Sequence, residues 1–61
     1  MKNNLFTAAV SAANNRDASA LIKILDKMKH PTALPLICDV NRCGLEGHAF
    51  AWDTLEEWQN A

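Results

Sequence analysis

The sequence has no tyrosine, only two glycines, two prolines and two cysteines, and no surplus of charge of either sign. Six Lys or Arg face seven Asp or Glu, for a formal net charge of -1. Each shortage excludes something. Two glycines do not make a phosphate-cradling loop, and no catalytic or nucleotide-binding signature stands elsewhere in the chain. A near-neutral chain lacks the electrostatic pull that supplies most non-specific attraction to nucleic acid or anionic membranes. No apolar run approaches the roughly 18 residues needed to span a bilayer. Residues 5–10 followed by Val10-Ser11-Ala12 faintly imitate a secretory signal, but the apolar stretch is shorter than the usual run of about 7–15 residues and contains Thr7. Two cysteines without such a signal read as reduced thiols, and the expected location is cytoplasmic.

What is present is small. With 61 residues the chain makes one domain, spanning 1–61, and such a domain hides only about 60% of the surface its unfolded chain exposes. Many of its apolar residues are alanines, which each contribute little burial. Marginal cores of this kind commonly recruit a partner subunit, a metal or a disulfide. Charge is unevenly spread: through His30 the chain carries five Lys or Arg against two Asp, and from Pro31 onward one Arg against five Asp or Glu. A basic first half and an acidic second half can steer a partner or a second copy.

Two consecutive amphipathic patterns fill residues 5–28. In the first, Leu5, Phe6, Ala9, Val10 and Ala13 line one stripe of a 3.6-residue helix, with Asn3 or Asn4 as cap and Ala8 and Ala12 small enough for a neighbour to approach. Asn14 and Asn15 suit its end, since Asn tolerates the left-handed conformation. Asp17 is a good N-cap for the second. There Ala18, Leu21, Ile22, Leu25 and Met28 form the apolar stripe, Ile24 widens it, and Lys23, Asp26 and Lys27 point outward. His30-Pro31 closes that helix, because a residue before proline is pushed out of helical geometry. A break this short returns one helix antiparallel against the other.

The second half reads in two ways. Pro31 and Pro35 bracket a short helix opened by proline in its first turn, and Leu45, Ala49, Trp52, Leu55 and Trp58 recur at helical spacing. Thr54 and Glu57 offer a capping box if that last helix begins late. Alternatively, 34–40 and 48–52 pair as a β-hairpin around 41–47. The favoured fold is all-α, a bundle of three or four short helices beginning with an antiparallel hairpin; the alternative is α+β with a C-terminal β-hairpin. Ile22, Leu25 and Met28 are echoed by Trp52, Leu55 and Trp58, each set after a polar turn. The run Ala12-Ala13-Asn14-Asn15-Arg16-Asp17 through Leu21-Ile22-Lys23-Ile24-Leu25 resembles the helix-turn-helix part of an ankyrin unit. It covers under half the chain and lacks the Thr-Pro-Leu-His start and the inter-helix glycine of that family, so the likeness is one of shared hairpin physics and not of membership.

His30, Cys38, Cys43 and His48 make a chemically complete zinc set, which would relieve the small-core problem, but without the close ligand pairs usual in such sites. The competing readings are Cys38 as a small buried hydrophobe, with Cys43 and the histidines nearer the surface, and a Cys38–Cys43 disulfide. No cofactor is expected. A nucleophilic thiol would also need an orienting group, an oxyanion site and a pocket, and the expectation is no enzyme. Arg16, Lys23, Lys27 and Lys29 decorate a hairpin that superficially looks like a DNA-binding one, yet its reading end is Ala18-Ser19-Ala20, which offers little to base edges.

The best functional pointer is C-terminal. Trp52 and Trp58 are large for so small a domain, and tryptophan supplies many interface hot spots. The expectation is a non-enzymatic module that binds another protein or a second copy of itself and occludes or positions it, through Phe50, Trp52, Leu55, Glu56 and Trp58, with Lys23 and Lys27 as a secondary charged patch. A motif-poor chain of this size also fits bacterial or bacteriophage accessory proteins. A zinc-stabilised domain and a helix-turn-helix-like nucleic-acid binder are the alternatives.

Overall fold

A computed structural model describes residues 5–61 of the chain. They form helices α1 (Leu5–Asn14), α2 (Ala18–Lys27), α3 (Leu34–Ile37) and α4 (Val40–Asn60), with a 3-10 turn at Pro31–Ala33 leading into α3. No strand occurs among the described residues, so the chain is a small all-α bundle and the β-hairpin alternative falls. Pro31 opens the 3-10 turn and Pro35 lies in the first turn of α3, where a missing amide costs no helical hydrogen bond. The cap expected from Asn3 or Asn4 lies outside the described residues.

The turn between α1 and α2 is closed by the carbonyls of α1 itself. The Asp17 amide donates to Ala12 O at 2.9 Å and the Arg16 amide to Ala13 O at 3.2 Å, the paired bonds of a Schellman cap. That motif needs one left-handed residue, and it is Arg16, at φ 55, in place of the expected Asn14 or Asn15. The arginine side chain offsets the strain by satisfying the same helix end: Nη1 donates to Ala13 O (2.9 Å) and Asn14 O (3.3 Å), while Nη2 reaches Glu46 of α4 at 2.9 Å. Asp17 then caps α2 as expected, accepting from the Ala20 amide at 3.2 Å.

Burial follows the helical period with two departures. In α2 the inward residues are Leu21, Ile24 and Leu25, with Met28 half-buried; Ile22, expected on the stripe, lies exposed. It sits about 100° around the helix from Leu21, on the side away from Ile24, past the edge of the arc that the neighbouring helices cover. In α1 the buried residues are Ala9, Ala12 and Ala13, while Phe6 turns outward and packs beneath the Arg42 guanidinium, 4.8 Å from its ring centroid. The face that α1 gives the core is thus made of alanine, and α2, α3 and α4 all pack against it.

Two glycines shape α4. Gly44 has φ 76 and ψ 173 and divides it into a first turn, capped by Asp39 accepting from the Arg42 amide at 2.9 Å, and a main helix beyond. Gly47 sits where α4 crosses α1: a Cβ built on it would lie 2.6 Å from Cys43 Cβ and 3.8 Å from Ala13 O. The capping box at Thr54 and Glu57 does not form, because the helix has already begun; Thr54 is buried and donates its hydroxyl back to Phe50 O at 2.8 Å. The thinnest dimension is 17 Å, room for two helices at the usual spacing of about 8–10 Å but not for three. Among the described residues, one face of α4 therefore has no helix over it.

Gly47→Ala is expected to lower unfolding free energy by about 1–3 kcal/mol, because its Cβ would lie 2.6 Å from Cys43 Cβ in the preceding turn of α4, and Gly44→Ala by about 1–3 kcal/mol through strain at a backbone conformation that only glycine adopts readily. Urea denaturation checks both; a Gly47→Ala protein as stable as the parent would mean that Cys43 yields at no cost.

Candidate interaction surface

The outer face of α4 carries Leu45 and Trp52, two of the large apolar side chains that the bundle leaves exposed; Phe6, Ile22, Leu36 and Val40 are the others among the described residues. Leu45 is 75% exposed and Trp52 51% exposed, with Ala49 and Glu56 also exposed between and beyond them. At 100° per residue, Leu45, Ala49, Trp52 and Glu56 fall within an arc of about 60°. Gly47, Ala51 and Thr54, all buried, occupy the opposite side. Asp53 and Glu46 border the stripe, both exposed.

Of the residues expected to bind a partner, Trp52 and Glu56 share this stripe. Leu55 does not: at 2% exposure it belongs to the core, because three residues beyond Trp52 the helix has turned it inward. Phe50 is half-buried and packs against the core. Trp58 is also half-buried and is directed at α2, where its indole Nε1 donates to Asp26 Oδ1 at 2.8 Å; it fastens the end of α4 to α2. Lys23 and Lys27 are exposed on α2. The stripe residues missing from the expected set, Leu45 and Ala49, carried the right helical spacing in the sequence. Nothing in the sequence said that this spacing faced outward.

The four soft-ligand residues are not gathered. Among the described residues no group of three or more His, Cys, Asp or Glu is placed to hold a metal ion. His30 is exposed and His48 Nδ1 lies 3.0 Å from Cys38 O. Both cysteines are buried free thiols, Cys43 too, in place of its expected position nearer the surface, because the turn into α4 lays it against α1; Cys38 Sγ lies 3.5 Å from Ala9 O and Cys43 Sγ 3.9 Å from Val10 O, on the same turn of α1. Burial pushes the Cys38 thiol up to about 12, with Cys43 and then Asp39 adding to the rise and Arg42 opposing it. A thiol held neutral in this way is a packing residue and a poor nucleophile. No pocket opens among the described residues. At the start of α2, Ala18 and Ala20 are half-buried and the Asp17 carboxylate is engaged in capping the helix.

Comparison with protein-family models, curated proteins and solved structures finds no match to this chain. The surface is therefore read from its own chemistry.

Because folding raises the Cys38 pKa above its ordinary value of 9.0, its contribution to stability is complete below about pH 9 and is lost as pH rises toward 12. Chemical denaturation at stepped alkaline pH is expected to show this loss, diminished in Cys38→Ala, and iodoacetamide at pH 8 is expected to label Cys38 only after unfolding. Rapid labelling in the native state would contradict its assignment to the core.

Proposed function

We propose that this chain is a non-enzymatic interaction protein that binds a partner protein through the outer face of α4 and occludes or positions it. The single observation behind the reading is the Leu45–Ala49–Trp52 stripe. Two large apolar side chains standing two helical turns apart on one exposed face cost solubility, and paired exposure of this kind marks interaction sites more than isolated apolar residues do. A tryptophan at the end of the stripe, bordered by Asp53 and Glu56, has the composition of a hot spot with part of a polar rim. In this reading Lys23 and Lys27 form a separate charged face, and Trp58 serves the fold. No helix of the described residues is long and apolar enough to cross a membrane. We place the binding in the cytoplasm, where the two thiols stay reduced, and an accessory role, inhibitory or adaptive, suits a chain of this size.

The test is affinity capture from the cells that make the chain, with the parent protein and with Leu45→Ala/Trp52→Ala as bait. A partner captured by the parent is expected to bind the double variant at least about 30-fold more weakly, the loss of a single hot spot, with helical circular dichroism unchanged. Trp58→Phe, which removes the bond to Asp26 and part of the indole's packing against the core, is expected to leave capture intact and to lower stability by at least about 0.5–1.5 kcal/mol. Capture that survives the double variant, or a double variant that unfolds, would remove the stripe from the site.

A further inference from the structure

The occupant of the α4 face can be specified from charge and shape, on the reading just given. From Leu45 to Asn60 the helix carries Glu46, Asp53, Glu56 and Glu57 and no Lys or Arg. The ion pairs among the described residues are Arg16–Glu46 and Arg42–Asp39, so three of these four carboxylates have no basic partner. Glu46 is itself still 89% exposed at the side chain. The stripe is spaced four, three and four residues apart, which is the spacing of a coiled-coil seam. Within it Ala49 lies between Leu45 and Trp52, which are separated by about 10 Å along the axis. A small residue between two large ones is a hole into which one aliphatic knob fits.

We propose that this face seats a basic amphipathic helix of a partner protein, with an aliphatic side chain over Ala49 and Lys or Arg set toward Glu56 at the end of the seam and toward Asp53 and Glu57 along its acidic side. A second copy fits less well through its own α4 or α2. Two α4 faces brought together set the same carboxylates against each other, and like charges across an interface are costly. The basic face of α2 presents Ile22 as its one large exposed apolar side chain, at 36% exposure; its broad apolar stripe is already in the core. The helix required has its seam free and its flanks basic.

The experiment is selection of displayed helical peptides about 21 residues long on the immobilised full chain. The seam is fixed as Leu and Ala, and the flanking positions are varied among Lys, Gln and Glu. The expected result is enrichment of Lys flanks, with affinity that falls as salt rises. Ala49→Glu, at an exposed position where Glu is a good helix former, is expected to weaken the selected peptides at least tenfold with the fold intact. Asp53→Lys/Glu56→Lys is expected to redirect enrichment toward Glu. Selected peptides with neutral or acidic flanks that still depend on Ala49 would overturn the charge assignment while leaving the face as a docking site. Absence of enrichment, or binding indifferent to Ala49→Glu, would overturn the face and with it the functional reading. A concentration-dependent dimer in sedimentation analysis that Ala49→Glu abolishes would give the face to a second copy and overturn the proposal.

Discussion

The close crossing of α1 and α4 is the constraint on which the rest of the bundle depends. Ala13 O stands 3.8 Å from where a Cβ on Gly47 would be, and both cysteines set their sulfurs against the carbonyls of the same α1 turn. Only small side chains permit that approach: Ala9, Ala12 and Ala13 on α1, and Cys43, Gly47 and Ala51 on α4. An alanine core yields little transfer free energy per residue but allows close packing and dense dispersion contacts. The larger burial comes from Leu21, Leu25, Leu34 and Leu55, which fill the space around that crossing.

The same crossing sets the chemistry at the turn into α4. Cys38 ends α3, Asp39 caps the next helix, and Gly44 breaks it five residues later, so the chain folds tightly enough to bury two thiols together. Their environment raises the Cys38 pKa, and the pair acts as packing. His48, which residue type grouped with them as a ligand, instead places Nδ1 beside the Cys38 carbonyl, an acceptor at the end of α3. The zinc set was complete by residue type and incomplete by geometry.

Thinness follows from size, and the exposed face follows from thinness. A two-layer bundle covers one side of its longest helix, and α4 has large apolar residues on both sides of that division. Leu55 meets the core, Trp58 reaches across to Asp26, and Leu45 and Trp52 are left in solvent. The echo between Ile22, Leu25, Met28 and Trp52, Leu55, Trp58 repeats in burial as well as in spacing: the first residue of each set is exposed, the second buried and the third half-buried. Each helix meets the core with one similar arc.

The sequence alone determined the helical hairpin of the first half, the Asp17 cap, the stop before Pro31 and the preference for helix in the second half, since these depend on local propensity and on the period of apolar residues. It did not determine which residue of the turn takes the left-handed conformation, because Arg16 is held there by carbonyls of the helix it ends and by Glu46, thirty residues away. Nor did it separate Trp52 and Leu45 from Leu55 and Trp58. All four share one helical periodicity, and inside differs from outside only by where α1 and α2 lie against α4. The tertiary structure decided that question through the packing of α1, α2 and α3 against α4, which fixes the rotation of α4 about its axis and thereby the face it turns to solvent.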